Sequence, residues 1–380
     1  MEPISISDLA TFAVDEQRGF LPEKDPLIRL PDTYALWERL AADLPYLLMT
    51  ESVRSAVDQL KPISTEQLAD DYERQRAMLL LSALGHAYVW NGEQPAKRLP
   101  AVVAVPWWEL SELLGRPPIM SHASLVLYNW RRLDPHGPLD LSNLAPLQLF
   151  HGGLDEQWFY LVTVEIEAEG AEALATMVAA QQAVAATNRE GLGNSLLKLA
   201  NVIETIFETL ERMAEKCDPY VFFQRVRPIL TGWEAPGLIY EGVSSEPQMY
   251  VGGSAAQSAL LQSLDAGLGI AHPHADTSPF LQQMRLYMEP AHRNFIVALE
   301  QGPSIRRFVL DVQKEHPALV EIYNICMHAL DKFRRKHMEI AVRYITHQTP
   351  EGEEARGTGG TSFASFLGRA NKETCEHFLD

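Results

Sequence analysis

The sequence predicts a mainly α protein, in which a large all-helical domain follows a smaller domain that is mixed but mostly helical. Apolar residues recur at three- and four-residue steps over residues 194–216 and 316–346, as they do on one face of an α-helix. Between the two parts, residues 131–156 contain three prolines and three glycines, a composition typical of a connector. We therefore predict domains at residues 1–145 and 146–380, with the boundary inside this connector.

Most elements, taken in chain order, are predicted to be helices. In the N-terminal part, helical patterns cover residues 32–48 and 66–88, and the apolar run at 99–108 predicts a strand or an extended segment. After the connector, helical patterns cover residues 158–190, 194–216, 254–270, 278–300, 303–314 and 316–346. Gly-rich breaks lie at 232–253, and the tail after residue 348 begins as a flexible loop and ends in a short helix.

Composition and charge exclude several classes of partner. The chain has 380 residues, a formal charge of −18 and a pI near 5.1, so it lacks the basic surface that nucleic acids and anionic membranes require. The first residues have no signal-peptide pattern, and the longest apolar runs are too short to span a bilayer. The scattered Cys217, Cys326 and Cys375 indicate neither a disulfide framework nor a zinc site. We expect a cytoplasmic protein with no nucleic-acid or membrane partner.

A histidine lies on the apolar face of the last long predicted helix. His337 follows Phe333 by four residues and precedes Ile340 by three, whereas charged side chains occupy the opposite face. A buried imidazole must find a partner for each ring nitrogen, because an unpaired buried polar group loses its hydration. The residues alone leave two interpretations open: a core histidine that bonds a carbonyl, which is the commoner case, or a ligand of a metal or haem iron.

Two aromatic residues precede an arginine at helical spacing, in Phe222, Phe223 and Arg227. The planar guanidinium group binds a carboxylate through two parallel hydrogen bonds, so this group fits a pocket for an aromatic carboxylate. A surface salt bridge above core aromatics is the commoner origin of such a pattern, and both interpretations stay open on the residues alone.

Three other segments have compositions that could indicate ligand binding. His272, His274 and Asp276 lie within five residues, but their polar, proline-containing setting favours a solvated loop over a metal site. The runs GGSAAQS at 252–258 and GTGGT at 357–361 offer backbone N–H groups to an anion, with mobile loops as the alternative. Neither run has the lysine of a P-loop, so no nucleotide is implied.

Several runs, taken together and in order, resemble the indoleamine 2,3-dioxygenase family. In the second half they are RPILTGW, YEGV, GGSAAQSALLQSLDAGLGI, YMEPAHRNFI, KHMEIAVRYI and GTGGTSF. In the first half they are FAVDEQRGFLP, LPDTYALWERLAADLP, AYVW, VPWWELSELLGRPPI and NWRRLDP. The resemblance implies an all-helical large domain that holds b-type haem against the smaller N-terminal domain, with O2 and L-tryptophan as substrates.

The resemblance also implies how haem is held. His337 matches the family's proximal ligand of the haem iron, which leaves the sixth position for O2. Arg334, about one helical turn earlier, matches a family arginine that could reach a haem propionate, and Asp265 could orient that arginine. Because the chain has no C-x-x-C-H motif, covalent c-type attachment is excluded.

The expected substrate pocket is carried over residue by residue. The resemblance implies that Arg227 binds the substrate carboxylate and that Phe222 and Phe223 line the indole slot. Ser254 and Ala255 match the segment that passes beside haem on the substrate side. The lid loop, which closes over the bound substrate in the family, matches Gly357, Thr358, Gly359 and Gly360. Glycines suit such a loop, because its backbone angles must change at little steric cost.

One stretch of the expected pocket departs from the mammalian members of the family. His122 stands where they have a tyrosine, Leu125 stands where they have a cysteine, and Val126 is the next expected substrate contact. His122 could accept a hydrogen bond from the indole N–H, as the distal histidine does in the sister family of tryptophan 2,3-dioxygenases, or it could only fill the space of the tyrosine. The resemblance does not decide which aromatic near Trp158 and Phe159 lines the pocket.

The leading function is therefore cleavage of the indole C2–C3 bond of L-tryptophan, or of a close indoleamine analogue, to an N-formylkynurenine-type product. A haem enzyme that rearranges or oxidises a modified tryptophan in a biosynthetic pathway is the first alternative, and a non-catalytic haem-binding sensor is the second. The retained lid and the Phe222, Phe223 and Arg227 group favour the leading function. We expect a monomer that needs an unidentified reductant; the sequence indicates neither the preferred enantiomer nor the kinetic constants.

Overall fold

The chain is mainly helical, as the sequence predicts. The computed structural model describes residues 3–274, 277–352, 355, 357–358 and 363–379. The helices of the N-terminal part are α1 (Ala35–Ala42), α2 (Leu44–Met49), α3 (Val53–Asp58), α4 (Asp71–Trp90) and α5 (Ala101–Leu114). The carboxylate of Asp70 accepts a hydrogen bond from the backbone N–H of Glu73, and this cap fixes the start of α4.

The second part of the chain is built from longer helices. They are α6 (Leu154–Glu169), α7 (Ala171–Ala185), α8 (Arg189–Glu211), α9 (Met213–Lys216), α10 (Pro219–Val221), α11 (Ala259–Leu268), α12 (Thr277–Arg285), α13 (Pro290–Gln301), α14 (Ile305–Val312), α15 (Pro317–Tyr344) and α16 (Phe363–Cys375). Helix α15 packs along α8, where the thiol of Cys326 donates to the carbonyl oxygen of Leu196 at 2.7 Å.

Short helical turns of other kinds interrupt or join these helices. Turns of 3-10 type lie at Ile6–Phe12, Asp32–Tyr34, Pro228–Leu230, Ala255–Gln257 and Thr346–Gln348. Two π-helical turns lie at Ala123–Leu127 and Phe222–Val226. In each, a backbone N–H donates to the carbonyl five residues earlier, as Arg227 does to Phe222 at 2.8 Å. Turns of this kind are rare, and they occur frequently at functional sites.

Strands are few and short in the described residues. They are β1 (Arg98–Leu99), β2 (Arg131–Arg132), β3 (Leu144–Ala145), β4 (Trp233–Tyr240) and β5 (Gln248–Tyr250). Strand β4 is central, parallel to β1 and antiparallel to β5, and β2 pairs antiparallel with β3. Gly232 and Gly252 let two backbones touch beside β4, since a Cβ on Gly252 would lie 2.2 Å from the carbonyl oxygen of Leu230.

Two predicted elements are corrected by the structure. The apolar run at 99–108 is not a strand beyond Leu99, because α5 begins at Ala101 and buries one face through Val103, Trp107 and Leu110. Periodicity cannot distinguish a short buried strand from a buried helix, and the continuously apolar run at 99–108 fits both. The helix predicted at 278–300 is two helices, since Pro290 starts α13 and forces the residue before it into an extended conformation.

The predicted boundary between residues 145 and 146 stays a prediction. Strand β1 pairs with β4, and α4 contacts the turn at Pro228–Leu230, so residues of both predicted domains contribute to the region around β4. Among the residues described, no helix combines the length and apolar character that crossing a bilayer requires.

Candidate functional site

His337 lies on the part of α15 where the apolar face becomes partly exposed. The apolar face is buried at Cys326, Ala329 and Phe333, but His337 and Ile340 are only half-buried. The imidazole makes no hydrogen bond with any described residue. Although the ring is partly exposed, the side chains around it desolvate it, and this desolvation, assisted by the positive charge of Arg334, lowers the pKa of His337 to about 4. The ring is therefore neutral near pH 7, with a lone pair that no internal partner uses.

These features fit a haem ligand better than a core histidine. A core imidazole pairs its ring nitrogens with carbonyls or water, whereas His337 leaves both unpaired in the described residues. A neutral imidazole on a half-open apolar helix face is the ligation that haem iron accepts from a protein. The described residues contain no cluster of histidine, cysteine and carboxylate side chains that would hold a bare metal ion.

Arg334 and Asp265 form the ion pair that the sequence predicts. Nη2 of Arg334 donates to both carboxylate oxygens of Asp265, at 2.5 and 2.7 Å. Burial alone would raise the pKa of Asp265, but the charge of Arg334 and the hydrogen bond from His272 outweigh it and lower that pKa. Nη1 of Arg334 donates to the hydroxyl of Thr374 on α16. Both terminal nitrogens of Arg334 therefore have protein partners.

Arg227 follows the second π turn and lies beside Phe223, one of the two aromatics predicted with it. Its guanidinium carbon is 5.4 Å from the ring centroid of Phe223, within range of a cation–π interaction. Burial lowers the pKa of Arg227, although an arginine stays charged under all physiological conditions. The three residues are thus together, but through a π turn rather than through the α-helical spacing that the sequence suggested.

Phe159 is the aromatic of α6 that joins this group. Its ring lies 4.6 Å from that of Phe222, and Phe222 in turn packs edge-on against Tyr344 of α15 at 5.7 Å. Trp158 points elsewhere, since its indole N–H donates to the carbonyl of Arg212 at 2.7 Å. Of the two neighbouring aromatics, Phe159 is therefore the one that contacts Phe222, a predicted substrate-binding residue.

Thr358, which belongs to the predicted lid loop, contacts the backbone beside β4. Its hydroxyl donates to the carbonyl oxygen of Gly253 at 2.6 Å, and its own carbonyl accepts from the N–H of Gly232 at 3.4 Å. Next to Gly253, Ser254 is half-buried and caps the turn at Ala255–Gln257 through its hydroxyl, while the side chain of Ala255 is exposed. Gly357 precedes the docked threonine, and the predicted lid glycines Gly359 and Gly360 lie outside the described residues.

The first π turn carries the other expected pocket residues. Leu125 and Val126 are buried, and a Cβ on Gly253 would lie 3.8 Å from Leu125 Cδ2, so Leu125 borders the backbone on which Thr358 docks. His122, at the start of the turn, is 4% exposed, and its Nε2 lies 2.9 Å from Oε1 of Glu167.

Glu167 is the hydrogen-bond partner of the His122 ring. Its Oε1 also accepts a hydrogen bond from the hydroxyl of Ser258 at 2.6 Å, and its Oε2 has no hydrogen-bond partner among the described residues. Because an ionised carboxylate only accepts, Nε2 of His122 carries a proton, and Nδ1 is the ring nitrogen that does not face Glu167. Glu167 gave no signal in the sequence beyond being a carboxylate on a predicted helix.

His86 is a further residue that sequence reasoning missed. It is fully buried in α4, and its Nδ1 donates to the carbonyl oxygen of Ile229 at 2.7 Å. Its Nε2 accepts the backbone N–H of Met120 at 3.0 Å, so one ring joins the segments that follow and precede the two π turns. Burial lowers the pKa of His86 to about 4. Its only sequence signal is a histidine inside the apolar run of α4.

The solvated-loop interpretation of residues 272–276 is correct for one histidine and wrong for another. His274 is exposed, but the His272 side chain is only 8% exposed and lies between the carboxylates of Asp265 and Glu373. The second carboxylate comes from α16, about a hundred residues later, and no local pattern could have predicted it. Asp276 lies outside the described residues.

Comparisons with known proteins agree over nearly the whole chain. A family model described as Indoleamine 2,3-dioxygenase matches residues 8–377. The chain is 39% identical to indoleamine 2,3-dioxygenase 1 of Mus musculus, over 96% of this chain and 94% of the relative. It is 37% identical to indoleamine 2,3-dioxygenase 2 of Homo sapiens, over 98% and 95%. It is also 34% identical to the indoleamine 2,3-dioxygenase of Saccharomyces cerevisiae, over 91% and 81%.

Proposed function

The chain belongs to the indoleamine 2,3-dioxygenase family, and from this premise we propose that it cleaves the indole C2–C3 bond of L-tryptophan, or of a close analogue, to an N-formylkynurenine-type product. The protein is an oxidoreductase of the dioxygenase type, and O2 is its second substrate. The observation that carries the proposal is the contact of the Phe222 and Arg227 turn with α15, the helix of His337.

His337 would hold the cofactor, a b-type haem. Its unpaired, neutral imidazole would ligate the iron, and Arg334, oriented by Asp265, would meet a propionate. Haem, when bound, supplies the iron chemistry by which O2 reacts with an electron-rich indole. No side-chain nucleophile is needed, so the protein contributes binding, orientation and exclusion of water.

Arg227 and its aromatic neighbours would orient the amino acid. The guanidinium would bind the substrate carboxylate through two hydrogen bonds, and burial makes such a charge-assisted pair stronger than it is in water. Phe222, Phe223 and Phe159 would contact the indole ring, for which offset or edge-on packing of aromatic rings is favourable.

Thr358 would close the pocket from the lid side. Its hydroxyl and carbonyl already bond the backbone at Gly253 and Gly232, next to Ser254, so two hydrogen bonds hold Thr358 in place. A lid held in this way would exclude water from the substrate. Leu125 and Val126, both buried on the first π turn, would complete the apolar wall near Gly253.

His122 would accept a hydrogen bond from the indole N–H. Because the Nε2–H of His122 donates to Glu167, the acceptor would be Nδ1. The alternative is that His122 only fills space and makes no such bond. The two roles predict different rates of turnover for a substrate methylated at the indole nitrogen.

The proposal includes a cytoplasmic, monomeric protein that depends on a reductant to keep haem iron in the ferrous state. Its direct test is incubation of reduced, haem-loaded protein with L-tryptophan and isotopically labelled O2, followed by mass spectrometry of the product. Incorporation of both labelled oxygen atoms into a formylated product supports the proposal. A rearranged product would favour the biosynthetic alternative, and haem binding without substrate consumption would favour a sensor.

A further inference from the structure

A chain of four buried charged side chains connects α16 to the helix of His337. Arg334 of α15 donates to Asp265, and Asp265 Oδ2 lies 3.1 Å from Nε2 of His272. Nδ1 of the same imidazole lies 2.7 Å from Oε2 of Glu373 on α16. All four side chains are at most 15% exposed, so water screens these interactions little.

The geometry fixes the protonation state of His272. Each ring nitrogen faces a carboxylate oxygen, and an ionised carboxylate accepts but does not donate, so both nitrogens must carry protons. The positive charges of Arg334 and His272 then alternate with the negative charges of Asp265 and Glu373. The cluster is neutral as a whole, which is the condition under which buried charges are tolerated.

Further bonds attach the end of α16 to the same place. Oε1 of Glu373 accepts the backbone N–H of His274 at 3.1 Å, and Nε2 of His377 accepts the N–H of Ala271 at 3.0 Å. Two more cations border the cluster: Arg369 lies 3.2 Å from the His274 ring, and Arg306 lies 3.5 Å from the carbonyl of His377.

We propose that His272 and Glu373 are positioning residues that anchor α16 to α15, the helix that carries the proposed haem ligand His337. The anchor includes Arg334, whose Nη2 donates to Asp265 and whose Nη1 donates to Thr374 of α16, so it also holds the side chain proposed to meet haem. This inference rests on the proposed function only for the haem-binding role of Arg334.

The anchor is sensitive to pH, and its sign follows from the charges. Burial alone would lower the pKa of His272, but its hydrogen bonds and charge interaction with Asp265, with the bond to Glu373, outweigh burial and raise that pKa. A raised histidine pKa stabilises the fold below the unfolded value of about 6.5, and this contribution is lost as the pH rises through the folded value. The anchor therefore loosens at alkaline pH.

Hydrogen exchange of the full, haem-loaded chain tests the proposal without any turnover. After correction for the intrinsic exchange rate, peptides from residues 363–379 should open roughly ten-fold more often at pH 9 than at pH 6, the factor expected for one charged hydrogen bond. His272→Gln and Glu373→Gln should raise the opening at pH 6 and abolish this pH dependence. Glu376→Gln is the matched control, because Glu376 is exposed just beyond α16, and it should behave as the wild type.

Equal corrected opening at both pH values in the wild type would overturn the anchor, and so would a Glu373→Gln protein that exchanges like Glu376→Gln. The wild-type series decides even where a variant does not fold. The exchange measurement does not depend on turnover, so a failed tryptophan assay, which would overturn the proposed function, leaves the exchange result intact.

Discussion

Phe222 packs edge-on against Tyr344, with their ring centroids 5.7 Å apart. Tyr344 follows His337 by seven residues on α15, so the two side chains share one face of that helix, about 10 Å apart along its axis. The hydroxyl of Tyr344 donates to the carbonyl of Cys217 at 2.6 Å, which fixes this ring. The turn that carries Arg227 is therefore attached directly to the helix face that carries the proposed haem ligand.

The ligand role of His337 predicts a spectroscopic loss. His337→Ala should remove the axial nitrogen, so the purified variant should lose haem or the five-coordinate ferrous spectrum of the wild type. His347→Ala is the control, because His347 is an exposed histidine just beyond α15. Absorption spectra and haem-to-protein ratios provide the measurement, and identical spectra for wild type and His337→Ala would remove the central assignment.

The carboxylate role of Arg227 predicts a loss of substrate affinity. A buried bidentate pair contributes about 2–4 kcal/mol, so Arg227→Ala should raise Kd for L-tryptophan roughly 30- to 1,000-fold while haem content stays unchanged. Arg225, exposed within the same π turn, supplies the matched control Arg225→Ala. Substrate-induced changes in the haem spectrum report Kd for both proteins. Equal affinity of the two variants would show that the carboxylate is bound elsewhere.

Local pattern predicted most of the helices. The apolar period of α15 predicted that helix with His337 on its apolar face, and matched motifs predicted the pairing of Arg334 with Asp265, which the structure contains. Pattern failed at residues 99–108, where an apolar run without polar alternation suited a strand and a buried helix equally.

The remaining features depend on contacts between distant parts of the chain. His272 meets Glu373 across 101 residues, and His86 meets Ile229 across 143. His272 lies in a polar loop and His86 in an apolar run, yet both side chains are buried and each has a hydrogen-bond partner on both ring nitrogens. Only the tertiary structure provides these partners, so no propensity or period in the sequence could have indicated them.

The buried neutral state of His86 predicts a loss of stability in acid. Its pKa is about 4 in the folded protein and about 6.5 in an unfolded chain, so the unfolded state binds the extra proton between these values. The contribution of His86 is complete above pH 6.5 and falls by about 3 kcal/mol as the pH approaches 4. His86→Gln should be less stable than the wild type at pH 7, and the two curves should converge towards pH 4. Denaturant unfolding of both proteins between pH 4 and pH 7 tests this prediction. A stability difference between wild type and His86→Gln that does not change with pH would contradict a neutral, bridging imidazole.

The hydrogen bond between Nε2 of His122 and Glu167 leaves Nδ1 for the substrate and predicts a specific response to substrate methylation. If Nδ1 accepts the indole N–H, tryptophan methylated at that nitrogen cannot donate and also places a methyl group where the imidazole lies. The wild type should therefore turn it over far more slowly than tryptophan, and His122→Ala should raise the ratio of methylated to unmethylated turnover. Leu125→Ala, which enlarges the pocket without removing an acceptor, should leave the ratio near that of the wild type. A ratio that His122→Ala does not change would show that His122 fills space and faces away from the indole nitrogen.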